Sequence, residues 1–206
     1  MVPDFMSSYY WSFICIERED LFMKKLIAIV GMSGSGKSVA SDYLEEKGFE
    51  KIYFGGVVLE EIKKRGLEVN PENEKLVRES LREEYGMSAM AKILLPRIEE
   101  VSSRKDTVLD GLYSWDEYVV LKEKFGDKLK LISIVADKNI RYERVGQRKI
   151  RPLNREKIEA RDIAEIENLA KGGPISIADY YLLNNGSVEA YYKRLEEILE
   201  SIEKGE

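Results

Sequence analysis

The sequence predicts an α/β protein, a parallel sheet wrapped by helices, and three observations lead there. Short continuous apolar runs such as Leu26–Val30 and Leu129–Val135 alternate with longer stretches of helical pattern, as expected of strands covered on both faces. The first run leads directly into Gly31-Met32-Ser33-Gly34-Ser35-Gly36-Lys37-Ser38, which fits the phosphate-loop (P-loop) pattern of Gly, four residues, Gly-Lys-Ser. A later run, Thr107–Leu109, ends on Asp110-Gly111. That puts a carboxylate at the strand edge where parallel sheets bind ligands.

The elements follow in order. After Leu26–Val30, Lys37–Lys47 reads as a helix ending at Gly48, Lys51–Phe54 as a short strand, and Val57–Arg65 as a helix stopped by Gly66. Asn70-Pro71-Glu72 opens a helix to about Tyr85, with proline at the first helical position. Ser88–Val101 is helical although it contains Pro96, and Thr107–Leu109 is a strand. The pattern continues as helix Asp116–Lys124, strand Leu129–Val135, helices Asn139–Lys149 and Arg155–Leu169, strand Tyr180–Leu183 and a closing helix Val188–Ile202. Asp137 reads as the cap of the helix after the fourth strand.

Composition narrows the chemistry. The 206 residues carry 33 Lys and Arg against 38 Asp and Glu, a net charge of −5, so a surface that binds nucleic acid throughout is not expected. With no histidine, triads built on imidazole and histidine metal sites are excluded. The single cysteine, Cys15, excludes an intramolecular disulfide and a cysteine zinc cluster. A bound metal would need oxygen ligands, which favours Mg²⁺ or Ca²⁺. No apolar run reaches the length of a membrane span, and the expected location is cytoplasmic. Residues 1–22 match a secretory signal poorly and read as an extension ahead of a main domain over 23–206. Oligomeric state is not readable.

The motif residues explain themselves chemically. Glycines let backbone N–H groups curl around phosphate oxygens, and the following helix adds its positive end. Lys37 suits the β- and γ-phosphates of ATP, and the Ser38 hydroxyl suits Mg²⁺. Asp110 can hold the metal or take the proton of an attacking hydroxyl. Residues 138–151 concentrate Lys138, Arg141, Arg144, Arg148, Lys149 and Arg151 against one acid, Glu143, a local +5. Arg141, Arg144 and Arg148 are three and four apart, so they should share one helix face. Arginines there could converge on a transferring phosphoryl group. The other reading of this segment is a solvated basic face.

With those motifs in place, the chain from Met23 resembles P-loop nucleoside monophosphate kinases, and within them archaeal adenylate-kinase-related proteins similar to dephospho-coenzyme A kinases. The resemblance rests on the P-loop, Leu109-Asp110-Gly111, Arg65-Gly66-Leu67-Glu68 with Asn70-Pro71-Glu72-Asn73, and Leu81-Arg82-Glu83-Glu84-Tyr85-Gly86. It also rests on the arginines 141–148, Arg161-Asp162, and Ala178-Asp179 leading to Asn185-Gly186-Ser187. It implies a P-loop NTPase three-layer fold with a five-stranded parallel sheet, a helical substrate-side insertion near 55–105 and an arginine lid near 141–171. It further implies ATP and Mg²⁺ held by residues 31–39, with Val39 included, and the base near the Asn184–Gly186 loop, with Asn185 and Gly186 as its contacts. Arg78, Arg82, Tyr113 and Arg161 are the implied acceptor contacts.

The chain departs from this pattern on the acceptor side. A substrate helix of such kinases commonly opens Gly-Asp-x-x-Arg, and here it opens Gly55-Gly56-Val57-Val58-Leu59. An arginine commonly follows the Asp-Gly pair, and here Leu112-Tyr113-Ser114-Trp115 stands in that stretch. Tyr113 and Trp115 could stack on a ring or pack in the core. The leading expectation is therefore a kinase of a small-molecule phosphate acceptor. The alternative is a nucleotide-binding switch or RNA-associated protein with slow NTPase activity.

Overall fold

The computed structural model describes residues 24–205. The expected extension, residues 1–22, lies outside the described residues. Five parallel strands lie in the order β2-β3-β1-β4-β5: β1 Leu26–Val30, β2 Glu50–Tyr53, β3 Thr107–Asp110, β4 Leu129–Val135 and β5 Tyr180–Leu183. Because every neighbour is parallel, each connection must cross over, and helices supply the crossovers. α1 (Lys37–Glu46) follows β1; α2 (Gly55–Lys64), α3 (Pro71–Tyr85) and α4 (Ala89–Ser102) separate β2 from β3; α5 (Trp115–Phe125) precedes β4. α6 (Lys138–Gly146), α7 (Arg155–Leu169) and α8 (Gly172–Ser176) lead to β5, and α9 (Val188–Lys204) closes the chain.

The apolar runs divide between two cores by strand alternation. Ile27, Ile29, Val108, Ile132 and Ile134 meet Leu44 of α1 and Leu195 and Ile198 of α9 on one face. Leu26, Ala28, Val30, Leu109 and Leu131 meet Ile62, Val77, Ile98 and Leu121 of α2 to α5 on the other. All five residues of β1 are buried, which is why it reads as a continuous apolar run. A buried Leu or Ile side chain contributes about 1.5–3 kcal/mol, so these two layers hold the sheet rigid beneath the loops at its edge. Tyr142, Val145 and Ile158, with Leu153, form a separate small core between α6 and α7.

Helix starts follow local chemistry. The Asn70 side chain accepts from the Asn73 N–H with Pro71 in the first turn, and Ser114 and Glu117 form a reciprocal capping box. Asn154 and Ser187 cap α7 and α9 in the same way. Two expectations are corrected. Asp137 stands at the start of α6 but its side chain makes no cap bond; its N–H instead donates to Asn185 Oδ1 at 2.9 Å. α6 ends at Gly146 rather than Lys149, because glycine weakens the helix and Arg151, at φ +54, and Pro152 cannot continue it. The short helix α8 was not expected from Gly172-Gly173-Pro174, residues that favour turns. Among the described residues no helix is long and apolar enough to cross a membrane.

Candidate active site

Strand order places the site. The chain leaves β1 towards one side of the sheet and leaves β3 towards the other, so a crevice opens between the carboxyl ends of these two neighbours. The P-loop follows β1, and Asp110 ends β3 in register with Ile29. The phosphate loop and the carboxylate therefore share one crevice, although 73 residues separate Lys37 from Asp110 in the sequence.

The P-loop is clamped from outside by two other segments. Gly34, at φ +82, lies so close to α6 that a Cβ there would come within 2.5 Å of the Arg141 carbonyl oxygen. Gly36, at φ +104, would meet the Asn184 side chain at 2.4 Å. Arg141 is buried; it donates to the Ser33 carbonyl at 2.8 Å and pairs with Asp162 of α7 at 2.7 Å. Arg144 donates to the Asn184 carbonyl at 3.0 Å, and Asn184 in turn donates to the Ser35 carbonyl at 2.8 Å. The Tyr191 hydroxyl donates to the Gly36 carbonyl at 3.0 Å. The Ser33, Ser35 and Gly36 carbonyls are thus held outward, while the Met32 carbonyl accepts from the Ser35 N–H at 3.2 Å within the loop.

Three features fit a nucleoside triphosphate. The Ser35 hydroxyl is buried without a partner among the described residues. The Lys37 ammonium donates to the Met32 carbonyl inside its own loop at 3.0 Å. Ser38 and Val39, at the start of α1, are exposed. Burial of the Lys37 ammonium lowers its pKa to about 7, and the nearby Lys171 ammonium adds to the effect. Burial raises the Asp110 carboxyl, against an opposing hydrogen bond from Ser41. Ser38 and Asp110 offer the oxygen ligands that Mg²⁺ takes.

The remaining residues singled out from the sequence separate into two groups. Arg161 of α7 donates to Glu165 at 2.9 Å near Lys37 and Tyr113. Tyr113 lines the turn after Asp110, where a Cβ on Gly111 would lie 3.1 Å from its ring. Its phenol is pushed up to about 12, mainly by burial. Trp115 instead packs on Tyr118 and over Gly173, and is 39% exposed. Arg82 is partly buried, with its Nε unpartnered among the described residues and Glu117 as the chief opposing charge in its field. Arg78 lies in the field of Glu74 and Tyr53. Arg148 does not join Arg141 and Arg144: it lies beyond the end of α6 and is exposed. Asn185 engages Asp137 through its side chain, Gly186 is exposed beside it, and the P-loop contact comes from Asn184.

Sequence reasoning missed Tyr191 and Lys171, and it includes Asn184 only as part of the loop near the base, without its bond to the P-loop. Lys171 is 1% exposed; its ammonium donates to Glu165 Oε2 at 2.5 Å and lies 4.6 Å from the centre of the Tyr113 ring. The only local sign of it is a lysine immediately ahead of the Gly172-Gly173-Pro174 turn. No charge pattern there distinguishes it from a solvated side chain.

Comparison with known proteins agrees with this fold. A family model described as "AAA domain" matches residues 27–164. A UPF0200 protein of Thermococcus gammatolerans is 34% identical over 184 residues, 87% of this chain and 96% of the relative. Among solved structures, a dephospho-CoA kinase from Campylobacter jejuni superposes with a TM-score of 0.56 at 18% identity, covering 89% of this chain and 99% of its own. A shikimate kinase from Acinetobacter baumannii in complex with shikimate gives 0.55 at 19% identity, covering 91% and 98%. At such identities the likeness is one of fold, and the fold is that of P-loop kinases.

Proposed function

The chain belongs to the AAA domain family and to the UPF0200 proteins, and from that premise we propose that it is a phosphotransferase of nucleotide-kinase type, moving the γ-phosphoryl of ATP to a small acceptor. One observation carries the reading: Asp110 lies on the strand beside the P-loop, in the crevice that Lys37 faces. The kinase-like fold, which a dephospho-CoA kinase and a shikimate kinase share, supports it.

In this reading the P-loop N–H groups and Lys37 hold the β- and γ-phosphates. Mg²⁺, held by Ser38 and Asp110, would supply charge neutralisation between the phosphate oxygens. A hydroxyl acceptor forms its bond to the γ-phosphorus as the bond to the β-phosphate oxygen breaks, and Asp110 takes the hydroxyl proton. Burial raises this carboxyl above its ordinary value, which makes it a better proton acceptor. Residues near 55–105 form the acceptor side and those near 141–171 the lid, which excludes water. Arg141 and Arg144 act chiefly as positioning residues, since both are already engaged in clamping the P-loop and the Asn184–Gly186 loop. The protein works in the cytoplasm.

The RNA reading is less well supported by the disposition of the basic segment. Lys138 pairs with Glu159, Arg151 with Glu74 and Arg141 with Asp162. Most of the +5 is therefore spent within the fold.

The test is an ATP-consumption screen over nucleoside monophosphates, nucleosides and dephospho-coenzyme A. Acceptor-stimulated turnover that disappears in Lys37→Ala is the expected result. ATP binding with no stimulation by any acceptor, together with salt-dependent RNA binding, would favour the switch reading.

A further inference from the structure

The proposed acceptor side carries no cation in two stretches, Gly55-Gly56-Val57-Val58-Leu59 at the start of α2 and Leu112-Tyr113-Ser114-Trp115 after the Asp-Gly pair. A cation stands there nonetheless, delivered from a different part of the chain. Lys171, in the turn between α7 and α8, lies over the ring of Tyr113 at 4.6 Å. Tyr113 occupies the second of these stretches, after Gly111, and its ring packs against that glycine. The ammonium is held on its other side by Glu165, which also receives Arg161. Two cations share one carboxylate: Lys171 is buried beside Glu165, and Arg161 reaches the same carboxylate from a half-exposed position.

Burial of an ammonium is costly unless it is paired. Here the pairing is incomplete. An ammonium has three donor hydrogens. Glu165 takes one and the π-face of Tyr113 takes the cation's field, which leaves donor capacity for a further acceptor atom. Lys171 also lies near enough to Lys37 for the two side-chain charges to interact. Two like charges held beside one crevice favour an anion between them.

We propose that Lys171, backed by Glu165 and Tyr113, binds an anionic group of the phosphate acceptor. The acceptor is thereby a small alcohol that also carries a phosphate or a carboxylate. The hydroxyl faces Asp110 and the anionic group faces Lys171, so the pair fixes which oxygen reaches the γ-phosphorus. The inference rests on the phosphotransferase reading, because it presumes a nucleotide on the P-loop.

The test uses the full chain saturated with Mg²⁺ and a nonhydrolysable ATP analogue, titrated calorimetrically with inorganic phosphate and, separately, with acetate. The wild type is expected to bind one of the two, and which one binds distinguishes a phosphate-bearing acceptor from a carboxylate-bearing one. Lys171→Met should weaken that binding at least tenfold, and Lys171→Arg should restore it to within about threefold. Glu165→Gln should tighten it, because a competing negative charge is removed; damage to the fold would weaken it instead. Analogue affinity should fall no more than about twofold in Lys171→Met, since its loss relieves repulsion on Lys37. Binding of neither anion by the analogue-loaded wild type, or equal binding by Lys171→Met, overturns the proposal. Failure of the wild type to bind the analogue overturns the phosphotransferase reading itself.

Discussion

Arg151 donates two hydrogen bonds to Glu74, Nη2 to Oε1 at 2.8 Å and Nη1 to Oε2 at 3.2 Å, tying the loop after α6 to α3. The two residues are 77 positions apart, and they join the proposed lid to the proposed acceptor side. Arg151 adopts φ +54, a conformation that costs a non-glycine residue about 1–2 kcal/mol. The fork geometry of a bidentate pair offsets part of that strain.

Such a link should govern local opening more than global stability. Arg151 is more than half exposed, so solvent screens the pair, and Glu74→Gln or Arg151→Ala should cost about 0–1 kcal/mol in thermal denaturation. Amide exchange over residues 147–153 should rise several-fold in both variants while the exchange of β1 and β4 stays unchanged. A drop in melting temperature of more than about 8 °C would show that the pair is a structural pillar instead.

The Arg141–Asp162 pair behaves differently, because both side chains are about 10% exposed. Arg141→Met leaves a buried carboxylate and an unpaired Ser33 carbonyl, and should destabilise by about 3–5 kcal/mol. Adding Asp162→Leu should recover a large share of that loss in urea denaturation, since the stranded charge is gone. Nucleotide affinity should not recover with it, because the P-loop clamp remains broken. Recovery of both would assign Arg141 a purely electrostatic role.

Lys37 gives the site a pH dependence with a definite sign. In the free protein its pKa is about 7, lowered chiefly by burial. Bound phosphates favour the ammonium and raise that value. Below pH 7 the lysine is already protonated and binding takes up no proton. Above pH 7 binding must draw one proton from solution, so affinity falls by up to about tenfold per pH unit until the bound-state pKa is reached. Calorimetry with a nonhydrolysable ATP analogue in two buffers of different ionisation enthalpy should show proton uptake at pH 8 and almost none at pH 5.5. Equal uptake at both would mean that Lys37 is not the linked group.

How much of this was legible beforehand follows from which interactions are local. Leu26–Val30 and Leu129–Val135 announce themselves because both faces of each strand are covered, so nearly every position is apolar. Asn70-Pro71 and the P-loop glycines are local chemistry and read directly. The end of α6 was misjudged because Arg148 and Lys149 are good helix formers, and it is the turn at Arg151 that stops them. Lys171 is not legible because its burial depends on Tyr113, which is distant in sequence, besides the local partner Glu165 at the end of α7. Asn184 and Asn185 are adjacent and identical, and only the tertiary approach of the P-loop separates them.

Glycine substitutions separate backbone conformation from close approach. Gly48, at φ +98, ends α1 with no atom within 4 Å of an added Cβ. Gly48→Ala should therefore cost only the left-handed backbone penalty, about 1–2 kcal/mol, and leave nucleotide affinity unchanged. Gly34, at φ +82, carries a similar backbone penalty. Its Cβ would also come within 2.5 Å of the Arg141 carbonyl and 2.9 Å of the Val145 side chain. The first of these neighbours is backbone and cannot swing aside, so α6 must move off the P-loop. Gly34→Ala should destabilise by at least about 1 kcal/mol more than Gly48→Ala in the same urea titration, and analogue affinity should fall at least tenfold. If the two variants lose equal stability and Gly34→Ala still binds the analogue normally, α6 is not what shapes the loop.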